Sequence, residues 1–117
     1  MRIKTTIVFS LLASIGLATS SYAGDDSADG RGLAFDRKKG NCLACHAIPS
    51  EPKAESPGNI GPPLVSMKDR YPDRAQLRAQ ISDATTINPD SVMPPFGRNK
   101  ILTEEELDLV TDYIQTL

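Results

Sequence analysis

The stretch that decides the fold is Cys42-Leu43-Ala44-Cys45-His46. It contains both cysteines and the only histidine of the 117-residue chain. Two thiols at positions i and i+3 lie on the same side of a helical turn, where both can reach one side of a porphyrin. The residue that follows then directs its imidazole over the ring. The spacing predicts covalent attachment of one c-type haem, with thioethers from Cys42 and Cys45 and with His46 as an axial ligand of iron.

Three other interpretations of the motif fit the chain less well. A thioredoxin-like C-x-x-C requires a βαβ context, whereas the neighbouring sequence has a helical pattern. A structural zinc site requires four ligands, and the chain has two cysteines and one histidine. A disulfide would use both thiols but would leave His46 without a role.

Composition excludes several classes of protein. The chain is 39% hydrophobic and 24% charged, which is typical of a globular domain rather than a disordered segment. Its formal net charge of −2 lacks the basic balance that phosphate binding requires, so no nucleic-acid partner is expected. A site with two histidine ligands is excluded, because the chain has one histidine.

The N-terminus has the pattern of a secretory signal peptide. Arg2 and Lys4 precede a mostly apolar stretch, residues 7–18, and Ser21-Tyr22-Ala23 places small residues where signal peptidase cleaves. The apolar stretch is shorter than the roughly 20 residues that span a bilayer. We therefore predict cleavage after Ala23.

This prediction divides the chain into a signal peptide, residues 1–23, and a monohaem domain, residues 24–117. The mature protein is expected to be periplasmic, and no contact with the membrane is expected after cleavage. Export also explains the cysteines, because two thiols outside the cytosol are seldom left without a covalent partner.

The second axial ligand must come from another part of the chain. With His46 as the only histidine, a methionine thioether is the natural ligand, and His/Met ligation raises the reduction potential. Met67 lies in a short apolar stretch where it is expected to fill the core. Met93 precedes Pro94 and Pro95, which exclude a helix and stiffen the segment. Met93 is therefore the predicted ligand, and with both axial positions filled the site is expected to transfer electrons rather than bind a substrate.

The remaining sequence predicts an all-α fold of about four helices around the haem. A first helix is expected at residues 27–39, with Asp29 as a cap, and a loop at residues 47–61. A third segment, residues 72–84, carries a helical apolar stripe. The last helix begins with the capping box Thr103-Glu104-Glu105-Glu106. Its apolar positions follow at helical spacing: Leu107, Val110, Ile114 and Leu117.

The order of these features resembles class I cytochrome c over nearly all of residues 24–117. The resemblance implies a class I cytochrome c-like fold in which the first and last helices cross, with Gly32 and Phe35 meeting Tyr113. It also implies that the carbonyl of Pro62 accepts a hydrogen bond from the ring of His46 and so orients the ligand.

A narrower resemblance is carried by four strings that are more specific than C-x-x-C-H. They are similar to the SoxX family, the small monohaem subunit of the SoxAX complex of bacterial thiosulfate oxidation. The strings are Gly58-Asn59-Ile60-Gly61-Pro62-Pro63-Leu64, Tyr71-Pro72-Asp73-Arg74, Met93-Pro94-Pro95-Phe96-Gly97 and Ile101-Leu102-Thr103.

The SoxX resemblance implies a role beside an enzyme. A SoxA-like cytochrome subunit would carry the active-site haem, and thiosulfate would be joined oxidatively to a cysteine of a SoxYZ-like carrier protein. The complex would be an L-cysteine S-thiosulfotransferase, and this chain would be its non-catalytic electron relay to a soluble cytochrome. The chain has no cysteine beyond the haem pair, so it would hold no sulfur intermediate itself.

A free, diffusible class I cytochrome c is the alternative. A permanent subunit needs a larger apolar patch around the haem edge than a diffusible carrier does. The expected haem-flanking loops contain several apolar residues with few charges among them, which favours a stable partner, although such residues also line haem pockets. These residues are Ile48, Pro49, Ile60, Pro62, Pro63, Pro94, Pro95 and Phe96. The sequence does not identify the partners of the haem propionates; the candidates are Asn59, Tyr71, Arg74 and Arg98.

Overall fold

The structure is a computed structural model that describes residues 29–117. In this range it contains four α-helices and no strand. The helices are α1 (Gly30–Phe35), α2 (Met67–Arg70), α3 (Arg74–Ser82) and α4 (Glu104–Gln115). Two short 3₁₀ turns, Cys42–Ala44 and Ala84–Thr86, lie between them. The prediction of an all-α fold with about four helices is confirmed.

The first helix is shorter than predicted. It covers Gly30–Phe35 rather than residues 27–39, and Asp29 caps it by accepting a hydrogen bond from the backbone N–H of Gly32. Asp36 ends it, because its carboxylate accepts the N–H of Lys38 at 2.8 Å and so competes with the helical hydrogen bond. The chain then turns back on α1, and the N–H of Gly40 donates to the Leu33 carbonyl.

Helices α3 and α4 begin directly after residues whose side chains cap them. The carboxylate of Asp73 caps α3 by accepting the N–H of Ala75. Both hydrogen bonds of the predicted capping box are present at α4, where the Thr103 hydroxyl accepts the N–H of Glu106 and the Glu106 carboxylate accepts the N–H of Thr103. The three glutamates of the first turn also favour the positive end of the helix.

The core lies where α4 packs against α1 and α3. Its buried side chains come from all four helices and from the loops between them. The largest fully buried ones are Ile48, Leu77, Leu107, Val110 and Thr111, whose hydroxyl donates to the Leu107 carbonyl. The predicted apolar faces of α3 and α4 are thus the faces that the fold buries.

The glycine at the crossing of α1 and α4 is Gly30, not Gly32. A Cβ on Gly30 would lie 2.6 Å from the carbonyl carbon of Leu109 and 2.9 Å from Cβ of Tyr113, whereas Gly32 has no such neighbour among residues 29–117. Each residue of an α-helix is rotated by about 100° from the residue before it, so residues two apart lie on nearly opposite sides of the helix. Gly30 and Gly32 therefore cannot both face α4. The implied contact between Gly32 and Tyr113 is therefore wrong.

The two glycines provide a matched test of this crossing. We expect Gly30→Ala to lower the free energy of unfolding by about 1–3 kcal/mol, because the methyl group would collide with the backbone of α4. Gly32→Ala should leave it unchanged or raise it by up to about 1 kcal/mol, because alanine favours a helix. Denaturant unfolding of the two variants measures both effects, and equal losses would contradict the assigned contact.

The predicted signal peptide, residues 1–23, lies outside the described residues. Within residues 29–117, no helix has the length and apolar character needed to cross a membrane.

Candidate functional site

One large cavity opens into the hydrophobic core. Its volume is about 670 Å³, within the range of about 300–1,000 Å³ that is usual for sites of small molecules and cofactors. Cys42, Cys45, His46 and Met93 all line it, together with apolar side chains of the core. The structure therefore brings together at one cavity the two thiols, the imidazole and the thioether that the sequence singles out.

The two thiols are aligned by a tight turn. Cys42–Ala44 is a 3₁₀ turn, in which residues i and i+3 eclipse. The backbone N–H groups of Cys45 and His46 both donate to the Cys42 carbonyl. Asn41, before the turn, has φ 45°, the left-handed conformation that asparagine tolerates better than most residues. This geometry presents the thiols side by side and places His46 directly after them.

The imidazole of His46 has a defined orientation and tautomer. Its Nδ1 lies 2.6 Å from the carbonyl oxygen of Pro62, which is the contact that the class I resemblance implies. A carbonyl oxygen can only accept, so Nδ1 carries the proton and Nε2 keeps the lone pair that binds a metal. Pro62, a residue without a backbone N–H, acts here through its carbonyl oxygen.

Gly58 and Gly61 hold the Pro62 segment against the haem-attachment motif. The N–H of Gly58 donates to the Leu43 carbonyl at 2.9 Å, and that of Gly61 donates to the Cys45 carbonyl at 2.8 Å. A Cβ on Gly61 would lie 2.6 Å from Nδ1 and 2.7 Å from Nε2 of His46. The sequence interpretation did not assign this role to Gly61, and its position directly before Pro62 is the signal that could have indicated it.

The two methionines of the described range differ in what they contact. Met67 is 2% exposed, and its sulfur accepts a hydrogen bond from the Arg70 guanidinium at 3.2 Å. That agrees with the expected core role of Met67, although it also lines the cavity. Met93 is half-buried at the cavity, in the non-helical segment between Pro89 and Pro94. The packing thus leaves Met93 as the better candidate for an axial ligand.

Burial of Cys42 also bears on the nature of the site. The apolar surroundings raise the pKa of the Cys42 thiol to about 11, so the thiol is neutral at pH 7. In thioredoxin-like motifs the pKa of the reactive cysteine is lowered instead. Within residues 29–117, no group of three or more histidine, cysteine or acidic side chains could hold a metal ion. Both observations weaken the thioredoxin and zinc interpretations.

Two of the four candidates for propionate partners are engaged elsewhere. Arg74 pairs with Asp108 and Asp112 of α4, and Arg98 lies 2.8 Å from the carboxylate of Asp83. Neither they nor Asn59 line the cavity, whereas Tyr71 does. Cationic side chains at the cavity that the sequence interpretation missed are Arg37, Lys38, Lys39 and Arg70.

The loop after His46 is tied to the crossing of α1 and α4 through Glu51. Its carboxylate accepts hydrogen bonds from the Arg31 guanidinium at 2.8 Å and from the Tyr113 hydroxyl at 2.8 Å. The hydrogen bond from Arg31, followed by that from Tyr113, holds the pKa of Glu51 below its ordinary value of 4.5. Burial, then the bond to Glu51, raises the pKa of Tyr113.

This pairing predicts an acid-dependent loss of stability. A carboxylate whose pKa is lower in the folded chain contributes stability above its unfolded pKa, and that contribution is lost as pH falls through the folded value. We expect Glu51→Gln to lower the unfolding free energy by about 1 kcal/mol at pH 7 and to flatten its decline below pH 4.5. Denaturant unfolding from pH 7 to 3 measures this, with Glu55→Gln, an exposed position in the same loop, as the control. Parallel pH profiles of wild type and Glu51→Gln would contradict it.

The donor set and the cavity together fit a covalently bound haem. The cavity is lined largely by apolar side chains, as the two faces of a porphyrin require. Its sulfur and nitrogen donors are those that c-type haem uses, and the Nε2 of His46 is free to bind iron because Nδ1 donates to Pro62.

Comparison with known proteins identifies relatives of this chain. The chain is 35% identical over 77 residues to an uncharacterized lipoprotein of Aquifex aeolicus strain VF5, which covers 66% of this chain and 36% of that protein. The chain thus spans about a third of the length of this curated relative. It also resembles a chain in the crystal structure of SoxXA from P. pantotrophus, with a TM-score of 0.68 and 29% identity over 74% of this chain and 77% of that one.

The match that assigns the chain to a family covers a longer stretch of the sequence than the 77 residues aligned with the lipoprotein. Residues 29–114 match the family described as cytochrome C oxidase, cbb3-type, subunit III, and this range contains the residues that line the cavity and all of the four helices except Gln115, the last residue of α4. The helical fold is that of a cytochrome c. The chain therefore belongs to this cytochrome c family, which implies a covalently bound haem.

Proposed function

We propose that this chain is a periplasmic monohaem cytochrome that relays electrons beside a SoxA-like partner. The observation that carries the proposal is the meeting of Cys42, Cys45, His46 and Met93 at a single cavity within a cytochrome c fold. The similarity to a chain of the SoxXA structure supports the choice of partner.

The cavity residues have distinct roles in this proposal. Cys42 and Cys45 hold the haem covalently, and His46 and Met93 bind its iron. The bound haem supplies reversible one-electron chemistry. The Pro62 carbonyl fixes the ring of His46, and the Met93 thioether favours the reduced state and so raises the reduction potential. With His46 and Met93 as its two ligands, the iron would have no position left for a substrate.

The mouth of the cavity offers an apolar surface to a partner. Ile60 and Val92 line the cavity and yet are 69% and 78% exposed. Exposed apolar side chains at the opening of a cavity are typical of interaction surfaces. A diffusible carrier is expected to present a smaller and more polar edge, so these two residues favour a stable partner over the free-carrier alternative.

The proposed reaction belongs to the complex, and the chain takes part as its electron acceptor. Joining the terminal sulfur of thiosulfate to the cysteine sulfur of a SoxYZ-like carrier forms one S–S bond and releases two electrons and the thiol proton. The electrons pass through this chain, one at a time, to a soluble cytochrome. Both cysteines of the chain are committed to haem, so the sulfur intermediate stays on the partners. The SoxA-like partner would supply the catalytic site of the L-cysteine S-thiosulfotransferase.

Export is part of the same proposal. Residues 1–23 would be removed as a signal peptide after Ala23, and residues 24–117 would form the periplasmic domain. The haem-attachment motif and the similarity to a lipoprotein support a location outside the cytoplasm.

Purification from the native host tests the proposed partnership. We expect the chain to elute from size exclusion together with a larger haem protein and to become reduced when thiosulfate and the carrier protein are added. Ile60→Lys and Val92→Lys should weaken this association, while Leu109→Lys, an exposed apolar position on α4, should not. A monomer without a partner, whose haem thiosulfate does not reduce, would favour the free-carrier alternative.

A further inference from the structure

The segment that carries Met93 runs from Thr85 to Arg98. Both of its ends lie at the carboxylate of Asp83. Asp83 ends α3, and its Oδ1 accepts hydrogen bonds from the backbone N–H and the hydroxyl of Thr85, which lies in the 3₁₀ turn that opens the segment. Its Oδ2 lies 2.8 Å from the guanidinium of Arg98, which follows Met93 and Phe96 in the chain. The same guanidinium nitrogen donates to the Thr85 hydroxyl at 3.2 Å.

The backbone approaches closely at the same place. The N–H of Gly97 donates to the Ser82 carbonyl at 3.0 Å. A Cβ on Gly97 would lie 2.9 Å from Cδ1 of Leu107 and still closer to the Ser82 hydroxyl. Phe96 is buried beside this contact. The far end of the segment is thus fixed to the end of α3 by packing, by backbone and by the Asp83–Arg98 ion pair.

In the part of the chain that the structure describes, the backbone in the middle of the segment has no comparable attachment. Its hydrogen bonds are local: the N–H of Ser91 donates to the Asn88 carbonyl, and the N–H of Met93 donates to the Ser91 hydroxyl. The residues around Met93 are largely exposed, including Pro89, Val92 and Pro94. The position of Met93 therefore depends on how firmly the two ends are held together.

We propose that the Asp83–Arg98 ion pair is a positioning device that keeps the Met93 thioether at the cavity. The proposal rests on the proposed role of Met93 as an axial ligand. The Asp83 side chain is 13% exposed and that of Arg98 is 57% exposed, so water screens this pair less than it screens one between two fully exposed groups. Breaking the pair releases one end of the loop and raises the fraction of molecules in which Met93 has moved away.

Competition by added imidazole measures that fraction in the oxidised haem-loaded protein. Imidazole can bind only when Met93 has left its position, so its apparent affinity is proportional to the open population. We expect Arg98→Gln and Asp83→Asn to raise this affinity about three- to tenfold. Asp83→Asn keeps an oxygen that can cap Thr85 and removes only the charge. Arg98→Lys should restore most of the wild-type value.

The matched control is Arg74→Gln, which breaks pairs with Asp108 and Asp112 on α4 but touches no part of the Met93 segment. It should leave the imidazole affinity within about twofold of wild type. Affinities of Arg98→Gln and Asp83→Asn that match that of Arg74→Gln would overturn the proposal; if one variant yields no haem-loaded protein, the other decides. Failure of the proposed ligand is seen separately, because wild type would then lack the Met–iron absorption band.

Discussion

Replacing Met93 by alanine is expected to abolish the Met–Fe(III) charge-transfer band at the red end of the spectrum and to lower the reduction potential. Axial ligands set haem potentials over a range of about 0.8 V, and the loss of a thioether moves the potential toward the lower part of that range. The affinity of the oxidised protein for imidazole should also rise steeply, because no side chain then competes for the position. Absorption spectroscopy and a redox titration measure these changes.

Met67→Leu is the matched control for this experiment. Leucine nearly conserves the volume of methionine in a core, so the variant should keep the band and a potential near that of wild type. The sulfur of Met67 already accepts a hydrogen bond from Arg70. A band that persists in Met93→Ala and disappears in Met67→Leu would reassign the axial ligand to Met67.

Gly61→Ala is expected to damage the site, because it adds a methyl group against the imidazole of His46. The added Cβ would lie 2.6 Å from Nδ1 of His46, so either the imidazole or the Pro62 segment must move. Movement of the ring would break its hydrogen bond to the Pro62 carbonyl. We expect the free energy of unfolding of the haem-loaded protein to fall by about 3 kcal/mol, at the upper end of typical overpacking costs, and the yield of haem-loaded protein to drop.

Denaturant unfolding and the ratio of haem to protein measure this effect. Gly32→Ala, which adds the same methyl group where no atom crowds it, is the control for the general effect of alanine. A Gly61→Ala protein with wild-type stability and haem content would show that the Pro62 segment does not hold His46 in place.

The features predicted correctly from the sequence are those set by neighbouring residues. The capping box of Thr103 and Glu106 forms because both partners lie on one helical turn, so no tertiary information is needed. The apolar faces of α3 and α4 follow from spacing alone, and the 3₁₀ turn at Cys42 follows from a five-residue motif. The convergence of His46 and Met93 on one cavity was expected from the chemistry that a haem requires.

Most of the errors concern contacts between distant segments. Gly30 and Gly32 are equivalent in a sequence, and only the rotation of α1 against α4 decides which one lies at the crossing. Arg74 and Arg98 were candidates for the propionates, but carboxylates on α4 and at the end of α3 bind them instead. The one local error is the length of the first helix, which ends early because the carboxylate of Asp36 accepts the N–H of Lys38.

The mass of the mature, exported protein tests the central claim most directly. The chain should be produced in a host that attaches c-type haem, then denatured and extracted to remove any cofactor that is not covalently bound. The account predicts a mass equal to residues 24–117 plus one haem, with Soret absorption that stays with the polypeptide and is lost when both Cys42 and Cys45 are replaced by alanine. A mass equal to the amino acids alone, without Soret absorption, would contradict it.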